Sequence, residues 1–357
     1  MNRKGDDGGG GIGGFGGFDE LMGLVIGAVG VVCIWLAGVV GTGVGGPWVQ
    51  NPDGVLRWFD GGGWVDEIGD AGDGGDGGDG GDGGDGGDWG DWGVAVLVHG
   101  LDEPGGIWDE MAPALFEAGY RVVRFDYPND QAVVRSAAGL ALAIGELRGL
   151  GVEGVDLVAH SMGGLVSREA LTNPEMGDST GLIGGVRIGR LILVGTPNEG
   201  SAWARLRGVA EVRERVQRWV ASDDMDVSIL TNLGVDGDGQ AGVDLLPGSV
   251  FLTALNGREM PGAVAVTCLV GRIVDPAVTA GNGAADEAAD ALGDGVVSVE
   301  SASLDGCKDV VLLVANHRSL IRTVEVEEGW RAMMGFDRAD RPEGIGVILD
   351  RLGRDRD

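Results

Sequence analysis

From residue 94 onward the chain alternates short β-branched runs with Ala- and Leu-rich stretches, and this alternation restricts its fold more than any other feature. The runs at Val94–Val98, Arg121–Phe125, Val155–Ala159, Leu191–Val194, Val264–Val270 and Val310–Val314 read as strands, and Trp108–Ala118, Gln131–Leu147, Met162–Leu171 and Leu320–Glu328 as helices. The strand runs are almost continuously apolar, as strands are when both faces of their sheet are covered. Helices between them supply the crossovers that parallel pairing needs. An α/β domain with a mostly parallel sheet and helices on both faces follows. In such sheets function collects beyond the carboxyl ends of the strands.

The first 93 residues do not share this pattern and carry about half of the chain's 72 glycines. Residues 1–20 form a Gly-rich tail. Leu21–Val40 is a run of twenty residues without a charge. As a helix it spans about 30 Å, the thickness of a bilayer's hydrocarbon core. A transmembrane anchor is therefore expected; a cleaved signal peptide is the alternative, although its apolar core is usually only about 7–15 residues long. Arg3 and Lys4 precede the span and the next base is Arg57. That bias favours a single pass with a cytoplasmic N-terminus and the α/β domain outside. Residues 41–92 read as a disordered Gly/Asp linker, with Asp73, Asp76, Asp79, Asp82, Asp85 and Asp88 in period three. Such a segment has nothing to bury and its like charges repel. Its spacing matches neither an EF-hand loop nor the nine-residue calcium repeat, so no metal site is expected. Trp48, Trp58, Trp64, Trp89 and Trp92 within it suit either a membrane interface or the edge of the folded domain. That domain is expected over 93–335, with a charged tail at 336–357.

Charge and cysteine content exclude several classes. Acids outnumber bases 56 to 26, a net charge of −30, and phosphate binding needs the reverse, so no nucleic-acid partner is expected. Cys33, Cys268 and Cys307 form no disulfide framework and no zinc spacing, although Cys268 and Cys307 could pair in an exported domain.

The three histidines, His99, His160 and His317, each lie at or just after the end of a strand. The most informative segment is VDLVAHSMGGLVSR at 155–168, where a strand runs into Ser161 between Ala159, Gly163 and Gly164. A serine on a tight strand-to-helix turn needs small neighbours at minus two and plus two, because the backbone is strained and closely packed there.

These residues resemble the α/β-hydrolase lipases and esterases. AHSMGG resembles their nucleophile elbow, with Ala159 in place of the commoner Gly. His99-Gly100-Leu101 resembles their oxyanion segment, and the run from Gly195 to Ser201 resembles the GTPxxGS loop. Asp294-Gly295-Val296-Val297 resembles the segment with the triad acid, and Asn316-His317 the segment with the triad base. The resemblance covers residues 94–328 and implies an α/β-hydrolase fold. It further implies Ser161 as nucleophile, His317 as base, Asp294 as acid, and the N–H groups of Leu101 and Met162 as oxyanion donors. Asp275 also follows the fifth strand and is the alternative acid. His99 and His160 take structural places. The scheme calls for no cofactor and no metal.

Trp203, Leu206, Val209, Val212, Val216 and Trp219 recur near helical spacing. Residues 201–247 thus read as a helical cap over the site, or else as an ordinary surface helix. The segments Asp244–Ser249 and Phe251–Asn256 resemble a stretch found in lipases and in GPI inositol-deacylase-like proteins, which implies a lipid-like acyl ester as substrate. An acyltransferase or thioesterase on the same triad, and a non-catalytic lipid- or protein-binding domain, are the alternatives.

Overall fold

The computed structural model describes residues 54–66, 93–101, 105–201, 239–323 and 341–354. Among these residues nine strands form one sheet. They are β1 (Val55–Phe59), β2 (Trp64–Val65), β3 (Val94–Val98), β4 (Arg121–Asp126), β5 (Gly154–His160), β6 (Leu182–Ile183), β7 (Val186–Val194), β8 (Ala265–Gly271) and β9 (Asp309–Leu313). Their order is β2-β1-β4-β3-β5-β7-β8-β9, with β6 paired to β7. Pairing is parallel from β4 through β3, β5, β7 and β8 to β9, and antiparallel at β1, β2 and β6. All six expected strands are present, β7 beginning earlier than expected, at Val186.

The helices are α1 (Met111–Glu117), α2 (Val133–Gly149), α3 (Met162–Thr172), α4 (Gln240–Asp244), α5 (Val250–Asn256), α6 (Pro276–Thr279), α7 (Gly283–Leu292), α8 (Val299–Ala302) and α9 (Glu343–Gly353). The period-two geometry of the strands divides the core into two layers. In β3, Val94, Val96 and Val98 join the layer beneath α2 and α3, where Leu140, Ile144, Leu147, Leu165 and Val166 are buried. Ala95 and Leu97 face the other layer, with Met111 and Leu115 of α1 and Ile345, Ile348 and Leu352 of α9. Both faces are covered, which is why the central strands tolerate no polar alternation. The chain moves outward from β3 to β4 and then returns to place β5 on the other side of β3. The crevice beyond β3 and β5 is thus the switch point at which open α/β sheets bind ligands.

Several expectations require correction. Residues 54–66, within the segment read as a 41–92 linker, are part of the sheet: β1 pairs with β4, and Trp58 is buried. Arg57 and Arg124 both pair with the buried Asp126, and the Arg124 guanidinium lies 4.5 Å from the centre of the Trp64 ring. These tryptophans cover the edge of the domain. Within the expected charged tail, α9 buries Ile345, Ile348 and Leu352. The expected helix at Leu320–Glu328 does not form over residues 320–323. There the Asn316 side chain takes the N–H groups of Arg318 and Ser319 and turns the chain tightly instead. Among the described residues no helix is long and apolar enough to cross a membrane. Leu21–Val40, the Asp-Gly-Gly repeat and residues 202–238 of the expected cap lie outside the described residues.

Candidate active site

Ser161 sits between the end of β5 and the first residue of α3 at φ 55, ψ −128, the only non-glycine among the described residues with positive φ. Such a backbone is disfavoured by about 1–3 kcal/mol and persists only where its surroundings enforce it. Here the Ser161 N–H donates to the Val194 carbonyl at 2.8 Å, and the Gly164 N–H donates back to the Ser161 carbonyl at 3.0 Å. The neighbours must be small for a steric reason. A Cβ on Gly163 would run into the Val98 carbonyl oxygen, and one on Gly164 would run into Thr196 Oγ1. Met162 opens α3, so its N–H has no acceptor within the helix and lies at the positive end of the helix dipole.

The exit of β3 is clamped by the segment that follows β4. The Tyr127 hydroxyl donates to the His99 carbonyl at 2.6 Å, and Asn129 Nδ2 donates to the Gly100 carbonyl at 3.1 Å. The His99 ring lies between two fixed partners: Nδ1 is 2.9 Å from the Gly100 carbonyl, which can only accept, and Nε2 faces the Tyr127 N–H at 3.4 Å. Complete burial lowers the His99 pKa to about 4, so the ring is neutral. It is stacked on Tyr127 with centroids 4.4 Å apart, and it braces the loop rather than moving protons. Leu101 follows, partly buried against the core.

Asp294 and His317 meet beyond β8 and β9. The Asp294 carboxylate is almost wholly buried. Its Oδ1 accepts the N–H groups of Val296 and Val297 at 2.9 and 2.8 Å, a turn closed by the Asp-Gly-Val-Val sequence itself. Oδ2 is left for His317 Nδ1 at 2.7 Å, and the His317 N–H donates to the Asp294 carbonyl at 3.0 Å. Asp275, the alternative acid, instead caps α6 by accepting the Ala277 N–H at 2.8 Å. On the other side of His317, His160 Nε2 lies 3.0 Å from the His317 carbonyl, with ring centroids 4.7 Å apart. His160 immediately precedes Ser161. Asp294 and His317 are thus paired, and His160 ties the His317 backbone to the residue that precedes Ser161. Among the described residues no three His, Cys, Asp or Glu side chains are placed to hold a metal ion, and Cys268 and Cys307 are free thiols.

One contributor has only a faint signal in the sequence. Arg168, on the buried side of α3, donates from Nη1 to Asn198 Oδ1 at 3.0 Å and from Nη2 to Asn256 Oδ1 at 2.9 Å. Asn198 Nδ2 in turn donates to the Ala302 carbonyl, and Asn256 Nδ2 to the Asn198 carbonyl. Burial lowers the guanidinium's pKa to about 10. The network ties α3 to the 195–201 loop, where a Cβ on Gly195 would meet the Asp294 and His317 side chains. A charge on an otherwise apolar helix face is all that marks it in the sequence.

In shape the chain is similar to the mature form of a Bacillus licheniformis lipase, with 22% identity over 64% of this chain and 86% of that one, and a TM-score of 0.43. It is also similar to a metagenomic carboxyl esterase, at 17% identity over 73% and 76% of the two chains and a TM-score of 0.47. Identities this low bear on neither substrate nor reaction. No curated protein matches the sequence. The model of the alpha/beta hydrolase family, in contrast, matches residues 95–326, which hold the parallel strands and every site residue described above. The chain belongs to the alpha/beta hydrolase family.

Proposed function

We propose that the protein is a serine hydrolase of carboxylic esters, acting on lipid-like acyl esters through Ser161, His317 and Asp294. One observation supports this above all: a serine in a strained, positive-φ turn at the strand-order switch point, directly after His160, which bonds the carbonyl of His317, whose own Nδ1 is 2.7 Å from a buried carboxylate. Ser161 Oγ attacks the acyl carbonyl while His317 Nε2 takes its proton, and Asp294 holds the proton on Nδ1 so that Nε2 is free to accept. The N–H groups of Leu101 and Met162 receive the oxyanion, each such donor contributing about 2.7–4 kcal/mol in the transition state. Collapse expels the alcohol, which leaves with the proton from His317. Water, deprotonated by the same imidazole, then attacks the acyl-enzyme; the bond between Ser161 Oγ and the acyl carbon breaks, His317 returns its proton to Oγ, and the carboxylic acid leaves. The lipid-like substrate class rests on the sequence resemblance of residues 244–256 to lipases, and the helical cap at 201–247 belongs to the same proposal.

We further propose, from hydropathy alone, that residues 21–40 anchor the protein as a single pass with its catalytic domain outside the cytoplasm. The chemistry is tested with a short p-nitrophenyl ester. Ser161→Ala and His317→Ala should each lower kcat by several orders of magnitude, and the double variant should be little worse, because such groups act as a unit. Additive losses, or near-normal turnover in either single variant, would remove the triad.

A further inference from the structure

We propose that His160 is a positioning residue for His317: through a hydrogen bond to the His317 carbonyl it ties the loop that carries the base to the strand that carries the nucleophile. This role rests on the hydrolase reading above. His160 is the last residue of β5, fully buried and adjacent in the chain to Ser161. Its Nε2 lies 3.0 Å from the His317 carbonyl oxygen. A carbonyl only accepts, so the proton resides on Nε2 and Nδ1 presents a lone pair. That Nδ1 is buried and, among the described residues, has no hydrogen-bond partner. Burial, and secondarily the facing His317, Arg318 and His99, holds the pKa of His160 well below its ordinary value, so the ring stays neutral while His317 gains a proton.

An unpaired buried acceptor is disfavoured, a penalty that an apolar aromatic ring of similar shape would avoid. What imidazole adds at this position is the one donor aimed at His317. His317 is held at three points: its N–H on the Asp294 carbonyl, its Nδ1 on Asp294 Oδ2, and its carbonyl by His160. The first two both refer the base to residue 294. Only the third refers it to the nucleophile's own strand. His160 is too deeply buried to touch substrate, so its loss should appear in kcat and not in KM.

The test compares His160→Asn with His160→Gln, with His160→Ala beside them. The amide nitrogen of glutamine falls near the Nε2 position and can donate to the carbonyl, whereas that of asparagine falls near Nδ1 and cannot. Because a misplacement of about 1 Å can lower turnover by ~10²-fold, the Ala and Asn variants should lose about 10- to 100-fold in kcat on a p-nitrophenyl ester. KM should stay within about threefold, and the Gln variant should recover most of the loss. Wild-type kcat in the Asn variant, or a Gln variant as impaired as the Asn variant whether through misfolding or not, overturns the proposal. Wild-type enzyme and Ser161→Ala run alongside separate the two levels. Ser161-dependent turnover with no effect at His160 removes this inference alone, and no Ser161-dependent turnover in the wild type removes the hydrolase reading and this inference with it.

Discussion

Replacing Asp294 with asparagine probes the site with little change in shape. In the wild type, Oδ1 accepts two backbone N–H groups, from Val296 and Val297, and Oδ2 faces His317 Nδ1 at 2.7 Å. An amide nitrogen cannot accept, so those two donors hold the variant's amide oxygen where Oδ1 was, and the amide NH₂ turns toward His317. Nδ1 must then accept, which places the ring proton on Nε2 and removes the base that should receive the serine's proton. The expected loss in Asp294→Asn is about 10⁴ in kcat, or roughly 5.5 kcal/mol of transition-state stabilisation. Stability should change little, since both backbone bonds are kept. Steady-state turnover of a p-nitrophenyl ester, with a thermal melt of the same sample, measures both. Activity within tenfold of the wild type would overturn the tautomer assignment, as would a melt showing that lost activity is lost fold. Asp275→Asn, which alters only the cap of α6, serves as the control and should leave kcat nearly unchanged.

Burial and the sheet edge can be probed in the same way. His99 and His160 are both held neutral, the former with a pKa of about 4, whereas an unfolded chain binds protons at both below about pH 6.5. Stability should therefore be fully present above about pH 6.5 and fall toward pH 4, by up to about 1.4 kcal/mol per pH unit for each histidine. An unchanged urea midpoint between about pH 7.5 and 5 would contradict this. The full-length protein should stay in the membrane pellet through a carbonate wash, while a chain beginning at residue 46 should be soluble and active on a water-soluble ester. A chain beginning at residue 90 should be markedly less stable, because it loses β1, β2 and the Arg57 partner of buried Asp126. Extraction of the full-length protein by carbonate would remove the anchor, and equal melting of the two shortened chains would remove the role of β1.

The six parallel strands are legible in the sequence because each carries a short run rich in Val, Ile, Leu or Phe, so that propensity and pattern agree. Ser161 and His317 are legible for a related reason: polar groups at strand ends stand out against such runs. What escapes lies where local signals are weak. Val55–Phe59 is surrounded by glycine and aspartate, and it becomes a strand only because the edge of β4 offers it a partner, a long-range contact that no local window contains. In α9 the glycines lower the helix propensity, yet Ile345, Ile348 and Leu352 carry the period that the sheet's second face requires. The short turn after Asn316 reads as helix because Leu320 and Ile321 look helical, while the Asn316 side chain competes for the backbone N–H groups that a helix would need.

The hydrolase reading depends on Ser161 being an activated nucleophile, and covalent labelling by a fluorophosphonate probe, followed by peptide mass spectrometry, reads that property without an assumed substrate. A single phosphonylated site is expected on the peptide containing Ser161, with labelling that vanishes in Ser161→Ala and is strongly slowed in His317→Ala. An unlabelled wild-type protein, or a label that persists in Ser161→Ala, would show that Ser161 is not the nucleophile.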